Sequence, residues 1–358
     1  MLRLEVLPAR HGDCLLIEYE HRGDVRRILI DGGAPGVYKT ALRPRLARLS
    51  KSELEFELLV VTHIDQDHIG GILELSLDDR MPFRAKDVWF NGFRHLQGPG
   101  VMAGKHGEKL TDLLCRNGAS WNRIGFDGLA VAVSASGVPL RVELDESIAL
   151  TVLSPTLQQL ADLRKDWRTS CKDISLRPED LEDARRRGRY QTLSLTSTLD
   201  ETEVPPPDVT ALLRAPFHED ASAANGSSIA FLLEYQDRRR ILCTGDAHPS
   251  TLVESMGHLR PEQLQLDACK LPHHGSRGSV SADLISKIAS DAFIFSSNGE
   301  KFSHPHPEAV ARVVKHGAGE PTLCFNYRTR FTTPWSRCGY RVAFPECDQG
   351  GLVLELEP

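Results

Sequence analysis

The chain has 358 residues, of which 41% are hydrophobic and 26% charged, and its formal net charge is −6. These values are typical of a globular protein of one large domain or two. The negative charge argues against an extended surface for nonspecific nucleic-acid binding, although it leaves a local basic patch open. No apolar window is long enough to cross a bilayer, and the N-terminus lacks the apolar core of a signal peptide. We therefore expect a cytoplasmic protein that does not act within a membrane.

The eight cysteines are scattered along the chain and form no Cys-x-x-Cys pair. Several lie within apolar runs, as Cys243 does between Ile241 and Thr244. The pattern indicates buried free thiols in a reducing compartment, and it disfavours a disulfide framework or a sulfur-ligated zinc.

The first half of the chain predicts an antiparallel sheet that leads into further strands. Short apolar runs at 2–7, 14–19 and 27–30 are separated by Gly-Asp and Asp-Gly-Gly turns, which is typical of a meander. A helix at 40–49 precedes a buried strand at 58–61. The remaining elements expected in this half are strands at 87–90 and 148–153 and a helix at 106–117.

Residues 58–71 carry the strongest chemical signal. The buried strand ends in four side chains that can bind metals, namely His63, Asp65, Asp67 and His68. Side-chain alternation places His63 and Asp65 on one face, and the following glycine pair allows the turn that the other two need. Two imidazoles and two carboxylates at one strand end predict a site for one or two divalent cations. An exposed polar loop would have no reason to place His and Asp at alternate positions.

Residues 156–224 interrupt the strand series. Helices are expected at 157–163 and 179–187, followed by a Ser/Thr tract and three consecutive prolines at 205–207. This composition favours an exposed segment. We interpret it as an insertion in a single domain of residues 1–358, one that covers or flanks the mouth of the site.

The second half predicts another strand series. A hairpin at 229–235 and 240–244 is followed by strands at 267–271, 292–296, 322–326, 340–344 and 352–355. Helices are expected at 250–256, 282–289 and 307–316, the last with proline at its first position. Two strand-rich halves with a few helices in each predict two sheets packed face to face, with helices outside.

Three stretches of the second half add chemistry at the ends of strands. Residues 242–246 end in Asp246, and residues 270–276 hold the pair His273 and His274 before Ser276. Residues 298–307 hold Asn298 and His304. Because consecutive side chains point in different directions, we expect one histidine of the pair to bind metal and the other to face substrate, without choosing between them.

The motif Thr-His-x-Asp-x-Asp-His-x-Gly-Gly at 62–71 resembles the metallo-β-lactamase superfamily, and within it the metallo-hydrolase domain of competence protein ComEC. Gly-Asp at 245–246, His-His-Gly-Ser at 273–276 and Asn225-x-x-Ser228 match that branch as well. Two positions depart from the pattern, since Asp65 stands where His is commoner and Ser303 replaces a glycine. The resemblance implies an α+β fold, a four-layer αββα sandwich with metals at the edge between its two sheets.

The resemblance also implies two divalent ions, Zn²⁺ or Mn²⁺, bridged by Asp246. The implied ligands of the first are His63, Asp65 and Asp246. Those of the second are Asp67, His68, Asp246 and one of His273 and His274. Residues expected to bind substrate or support the ligands are Asp31, Asn225, Ser228, Ser276 and Asn298. For Asp31, orientation of a ligand histidine and a turn-forming role are equally good interpretations.

The implied function is hydrolysis of a phosphodiester by a water whose pKa the metals lower, with nucleic acid as a candidate substrate and no indicated protein partner. The catalytic candidates are Asp67, which would orient the water, His304, which would assist the leaving group, and His274. One alternative is a hydrolase of another ester or amide, such as a lactone, thioester or phosphocholine ester. Another is a non-catalytic binding module with a degenerate site, which six intact ligand candidates disfavour.

Overall fold

The computed structural model describes residues 1–96, 107–170, 204–347 and 350–356, and its strands form two sheets. The first sheet contains β1 (Leu2–Val6), β2 (Leu15–His21), β3 (Asp24–Ile30), β4 (Glu55–Val60), β5 (Arg84–Trp89) and β14 (Leu352–Leu356). The second contains β6 (Leu140–Glu143), β7 (Ile148–Ser154), β8 (Ala230–Tyr235), β9 (Arg239–Cys243), β10 (Gln265–Lys270), β11 (Ala289–Phe295), β12 (Thr322–Phe325) and β13 (Val342–Ala343).

Both sheets change from antiparallel to parallel pairing. The first sheet has the order β14-β1-β2-β3-β4-β5, and its pairs are antiparallel until β3 joins β4 in parallel. The second runs from β13 through β12, β11, β10, β9, β8 and β7 to β6, with parallel pairs from β9 to β13 and antiparallel pairs from β6 to β9. The parallel parts place several strand carboxyl ends side by side, which suits them to present residues from the loops that follow.

Helices cover the outer faces of both sheets. They are α1 (Arg43–Leu46), α2 (Gln66–Ser76), α3 (Gly107–Arg116), α4 (Leu157–Ser170), α5 (Val209–Leu212), α6 (Ala223–Gly226), α7 (Pro249–Met256), α8 (Ala282–Lys287) and α9 (Pro307–His316). A helix of this kind is held by the apolar stripe that it buries against the sheet.

Three apolar clusters separate the layers. The inner cluster joins Leu4 of the first sheet to Phe231 of the second. A second cluster packs Leu59 against α2 to α4, and a third packs Leu242 against α7 to α9. Alternate residues along the strands therefore enter different layers, as the period of a strand requires. The predicted four-layer αββα sandwich of the α+β class is confirmed.

Some element boundaries differ from those that the sequence predicts. The expected helix at 40–49 begins as a π-helical turn, Tyr38–Leu42, before α1, and β6 was not expected at all. The helix expected at 282–289 ends at Lys287, because Ala289 pairs with Gln265 as the first residue of β11. The helix at 157–163 extends through α4 to Ser170.

Three further expectations meet the structure only in part. The helix predicted at 179–187 lies outside the described residues, and the single-domain organisation stays a prediction. The cysteines in the described ranges are all free, and Cys14, Cys243, Cys269 and Cys324 are buried. Among the described helices, none combines the length and apolar character that a membrane span needs.

Candidate metal centre

Four histidines converge on one carboxylate at the carboxyl ends of strands from both sheets. The Nε2 atoms of His63, His68, His273 and His274 lie 3.9, 3.4, 3.8 and 3.6 Å from Oδ2 of Asp246. His63 and His68 follow β4, Asp246 follows β9, and the histidine pair follows β10. Residues from 58–71, 242–246 and 270–276, which the sequence singles out separately, thus meet at one point.

The distances and the unpaired atoms of this cluster fit a bound cation. A nitrogen and an oxygen that each lie about 2.0–2.2 Å from a tetrahedral zinc ion are separated by roughly 3.3–3.6 Å. Nε2 of His63 and Oδ1 of Asp246 are buried and have no hydrogen-bond partner. Since a buried polar atom without a partner is costly, and since these atoms belong to a cluster of nitrogen and oxygen donors, the cluster is a candidate metal site.

Three of the four imidazoles are held from behind by a carboxylate at Nδ1. The pairs are Asp31 with His68 at 2.8 Å, Asp13 with His274 at 3.2 Å, and Asp220 with His273 at 3.1 Å. An Nδ1–H that donates to a carboxylate leaves the lone pair of Nε2 directed to the centre of the cluster. This arrangement orients imidazoles as metal ligands.

Asp31 supports two of the histidines at once. Besides facing His68, its carboxylate accepts hydrogen bonds from the backbone N–H and the hydroxyl of Thr62, at 2.8 and 2.7 Å. The Thr62 oxygen lies 3.1 Å from Nδ1 of His63 and can accept from it. Asp31 also has a left-handed backbone, with φ of 57°, so both interpretations of this residue, as a turn former and as a support, agree with its surroundings.

Asp65 and Asp67 extend the cluster, each next to a different histidine. Oδ2 of Asp65 lies 3.6 Å from Nε2 of His63, and Oδ2 of Asp67 lies 3.6 Å from Nε2 of His274. Asp65 is the residue that precedes α2, while Asp67 lies in its first turn. The start of this helix therefore brings both carboxylates to the centre.

Glycines let the backbone segments around the centre approach one another closely. A Cβ on Gly12 would lie 1.8 Å from the carbonyl oxygen of Asp67, and a Cβ on Gly71 would lie 1.9 Å from that of Gly32. Gly32 also donates its N–H to the carbonyl of His68 at 2.8 Å. The turns that carry Asp13 and Asp31 are thereby fastened against α2.

His273 and His274 share an unusual backbone conformation in the turn Pro272–Gly275. Both are left-handed, with φ of 48° and 56°, which costs a residue other than glycine about 1–2 kcal/mol. The two rings lie at 74° to each other, yet both Nε2 atoms approach Asp246. His274 is fully buried, whereas the His273 side chain is 24% exposed. The sequence leaves the choice of ligand between them open, and in the structure both Nε2 atoms can reach a cation beside Asp246.

Carboxylates dominate the electrostatics of the cluster. Burial disfavours charged His68, but Asp246 and Asp31 outweigh burial and raise its pKa well above the ordinary value. Burial also acts to lower the pKa of His274, but the carboxylates of Asp246 and Asp13 outweigh burial and raise this pKa to about 9. In the absence of a cation these imidazoles hold protons, and a cation would replace them.

Lys270 is a buried cation that sequence reasoning missed. It lies at the end of β10 with no exposed surface. Its Nζ forms an ion pair with Asp13 and donates to the carbonyl of Gly245 at 3.3 Å. One lysine thus fastens the carboxylate behind His274 and the residue that precedes Asp246.

Asp13 supports the centre and is a poor candidate for a ligand. Ligand-capable atoms of Asp13, His68, Asp246 and His274 lie within 4.8 Å of one another. The Asp13 carboxylate, however, is already engaged by Lys270, by the Ser296 hydroxyl and by Nδ1 of His274. Its oxygens are therefore occupied on the side away from the centre.

Five residues are expected to support ligands or bind substrate, and three of them contact the cluster: Asp31, Asn225 and Ser228. The Asn225 amide donates to Asp220 and lies 3.3 Å from Nδ1 of His273. The hydroxyl of Ser228 accepts from the backbone N–H of Asp246 at 3.1 Å.

Ser276 and Asn298 form hydrogen bonds with other groups. The Ser276 hydroxyl accepts from the backbone of Gly278 at 3.3 Å. The side-chain oxygen of Asn298 accepts from the backbone N–H of Glu300 at 3.2 Å, and the backbone N–H of Asn298 donates to the carbonyl of Arg10 at 2.8 Å. Their expected roles in substrate binding stay predictions.

His304 lies beside the histidine pair. Its ring centroid is 5.2 Å from that of His273 and 6.2 Å from that of His274, and its Nδ1 is buried without a partner. Burial and these two neighbours lower the pKa of His304 to about 2. The neutral ring carries one N–H, which can donate to an oxygen that approaches the centre.

Sequence reasoning missed Asp220 as well as Asp13 and Lys270. Asp13 belongs to the Gly-Asp turn after the first strand, so its position signalled importance but not its partner. Asp220 lies in the segment without clear periodicity, and its place beside His273 is fixed by a hydrogen bond from its N–H to Gly278 at 2.9 Å. No local sequence pattern predicts that Asp220 lies beside His273, because the two residues are far apart in the sequence.

Replacing Lys270 with methionine should destabilise the protein strongly. The Lys270→Met variant leaves Asp13 buried without its cation, and breaking a buried ion pair in this way costs about 3–5 kcal/mol. Urea unfolding of metal-free protein measures the loss. The double variant Asp13→Asn/Lys270→Met should recover part of it, and Lys165→Met, at an exposed ion pair with Asp162, should unfold like the parent. A Lys270→Met variant as stable as Lys165→Met would contradict the assigned role.

Metal binding should depend on Asp246. Native mass spectrometry of protein reconstituted with Zn²⁺ or Mn²⁺ should find two ions in the parent and fewer in Asp246→Asn. Ligand binding at 100 times Kd stabilises a fold by about 2.7 kcal/mol, so the parent should also melt at a higher temperature with metal. The control is Asp267→Asn. Asp267 lies on β10, the strand that precedes the histidine pair, and forms an ion pair with Arg239 of β9. Equal stoichiometry in the two variants would disprove the site.

Comparison with known proteins points to one superfamily. The family model of the metallo-beta-lactamase superfamily matches residues 7–85, the range that contains Asp13, Asp31 and the side chains at 63–68. No curated protein gives a significant match.

Two solved structures resemble the chain along its length. Human tRNase Z, short form, shares 10% identity at a TM-score of 0.45, with 100% of both chains covered. The metallo-beta-lactamase fold protein YhfI from Bacillus subtilis shares 9% identity at a TM-score of 0.41, covering 99% of this chain and 98% of that one. Neither likeness is strong enough to argue from, and the resemblance to the competence protein rests on the motifs alone. Over residues 7–85 the chain is therefore similar to the metallo-beta-lactamase superfamily.

Proposed function

We propose that the chain is a hydrolase that uses two divalent cations to cleave phosphodiester bonds. The observation that carries the proposal is the approach of four histidine Nε2 atoms to one oxygen of Asp246, at 3.4–3.9 Å. Carboxylates behind three of these rings orient them inward. Such an arrangement is typical of a centre built to hold metal ions.

The donors divide into two sets around Asp246. His63 and Asp65 are 3.6 Å apart and form the first set. His68 and His274, whose Nε2 atoms are 3.3 Å apart, form the second set with Asp67. His273 approaches Asp246 alone and is assigned to neither set. Mixed nitrogen and oxygen donors suit both Zn²⁺ and Mn²⁺.

Bound cations at such a centre would lower the pKa of a water molecule and stabilise negative charge on phosphate oxygens. The residues of the chain prepare that chemistry. Asp67, whose side chain is 16% exposed, would accept a hydrogen bond from the attacking water and align it. Asp31, Asp13 and Asp220 would keep the imidazoles in the tautomer that leaves Nε2 free.

Bound cations would remove most of the negative charge that an anionic substrate meets at the centre. Six carboxylates face the cluster, at Asp13, Asp31, Asp65, Asp67, Asp220 and Asp246, and Lys270 neutralises one of them. Two dications would nearly balance the rest. A phosphodiester, with its single negative charge, would then meet little repulsion at the centre, and its phosphate oxygens could approach the cations.

The proposal is tested with substrates of different classes. Protein reconstituted with Mn²⁺ or Zn²⁺ should cleave bis-p-nitrophenyl phosphate and at least one of plasmid DNA, single-stranded DNA and RNA. Asp67→Asn and His68→Ala should lose activity by 10²-fold or more, the size typical of lost acid–base groups and ligands. Asp267→Asn is the control and should retain it.

Three outcomes decide between the hypotheses. Metal-dependent cleavage in the parent but not in Asp67→Asn supports the proposal. Hydrolysis of a lactone or thioester with no phosphodiester cleaved would replace it with the alternative hydrolase. A protein that binds no metal after reconstitution would favour a binding module.

The contribution of His304 should depend on the leaving group. If its N–H assists departure, His304→Phe should lower kcat on an oligonucleotide by about 10²-fold or more. The same variant should affect bis-p-nitrophenyl phosphate much less, because nitrophenolate leaves without a proton. The control is His306→Asn, because the imidazole of His306 accepts a hydrogen bond from the backbone of Arg277. This variant should change the rates on both substrates by the same factor. An equal loss on both substrates in His304→Phe would mean that this histidine only shapes the centre.

A further inference from the structure

Three loops form one rim beside the candidate metal centre, and we define it as residues 8–13, 297–304 and 326–331. The backbone N–H of Arg10 donates to the hydroxyl of Tyr327 at 2.7 Å, and the carbonyl of Arg10 accepts from Asn298 at 2.8 Å. Gly299 allows Phe331 to pack close, since a Cβ there would lie 2.5 Å from the Phe331 ring. The three loops are therefore one connected surface.

Phe302 stands out on this rim because its ring is exposed. Among the Phe, Tyr and Trp side chains in the described ranges, Phe302 and Phe217 are the exposed ones, at 44% and 39%. The Phe302 ring lies 5.8 Å from the ring of His304 and 5.9 Å from that of His11. His304 in turn adjoins His273. An exposed phenyl ring thus stands one imidazole away from the metal-binding histidines.

The rim is basic although the whole chain is acidic. Its exposed charged side chains are Arg10, Glu300, Lys301, Arg328 and Arg330, four cations and one acid. The ammonium of Lys301 lies 4.6 Å from the centre of the Phe302 ring. The other acid of the rim, Asp13, is buried and paired with Lys270. A phosphate backbone that leaves the metal centre on this side would therefore meet positive charge.

We propose that Phe302 is a stacking platform for a nucleobase next to the scissile phosphate, so that the substrate is a single-stranded nucleic acid. The inference rests on the proposed function and specifies its substrate. Proteins bind single strands by combining a cationic path for the backbone with aromatic rings on which unstacked bases rest. In a duplex each base is stacked on both faces and cannot reach the ring.

The geometry also assigns a cooperating role to Lys301. An ammonium over a phenyl ring is held by the electrons of that ring, and it moves readily because the lysine stem is flexible and exposed. On arrival of a base it can swing to the neighbouring phosphate. The ring then exchanges a cation for a base, and the cation stays close enough to neutralise the strand.

Binding measurements with matched strands test the platform. In the Asp67→Asn background with Mn²⁺, which prevents cleavage, fluorescence anisotropy compares single-stranded DNA, single-stranded RNA, an abasic strand and a duplex. Stacking on an aromatic side chain is worth enough per base to predict a loss of roughly 5- to 100-fold in affinity when the ring is removed. Phe302→Leu should show that loss for DNA and RNA single strands, and the abasic strand should bind it as it binds the parent.

The control variant is Phe217→Leu, which removes the other exposed phenyl ring, one packed near Arg312. It should bind all strands as the parent does. A Phe302→Leu variant that behaves like this control would overturn the platform. So would equal losses on abasic and base-bearing strands, because they would reflect a general disturbance of the rim, or a duplex bound as tightly as the single strand.

A fluorescence signal reports stacking directly. The four native tryptophans, Trp89, Trp121, Trp167 and Trp335, are all buried, so the indole introduced by Phe302→Trp would be the exposed one. A single strand with bases should quench its emission, and the abasic strand should not. No quenching at saturating strand would overturn the proposal. Because these readouts need no turnover, a failure to cleave phosphodiesters would count against the proposed function without deciding the platform.

Discussion

The structure depends on holding several carboxylates together in a place that water barely reaches. Burying one unpaired carboxylate is costly, and burying several near one another adds repulsion. The chain offsets this in three ways: Lys270 pairs with Asp13, protons occupy His68 and His274 when no cation is bound, and hydroxyl and amide groups such as those of Thr62 and Asn225 donate to the supporting acids. Even with all three, negative charge remains in excess at Asp246, and a bound cation would neutralise it. Folding and metal binding would then be linked, because a cation must displace those protons.

The division of the centre between the two sheets explains why the fold needs its inner apolar cluster to be well packed. The loop after β4 brings His63 and the start of α2, whereas the loops after β9 and β10 bring Asp246 and the histidine pair. Distances of a few ångströms between the candidate ligands must therefore be maintained across the interface between sheets. A cavity created in that interface would shift one set of donors relative to the other, and small displacements of this kind are expensive for catalysis.

The sequence predicts the parts of this design that are local. Short-range periodicity and proline and glycine signals predict the strand at 58–61, the candidate ligands that follow it, and helix α9. The order of the layers is predicted from the two strand-rich halves of the chain. Asp220 and Lys270 could not be assigned, because their roles exist only through partners distant in sequence. The exposure of Phe302 could not be predicted either, since an exposed phenyl ring differs from a buried one only by its tertiary surroundings. Strand β6 has an unremarkable sequence and forms by pairing with β7.

Net charge illustrates the same limit for function. A chain with a net charge of −6 has no general attraction for nucleic acid. The rim, with four exposed cations and one exposed acid, is nevertheless a positive region, and the acidic remainder would repel strands elsewhere. A field of this shape favours short contacts at the centre over sliding along a duplex, because duplex binding relies on many phosphate contacts. One exposed aromatic ring beside that region then adds what charge alone cannot supply, which is the distinction between a base that is free to stack and one that is already paired.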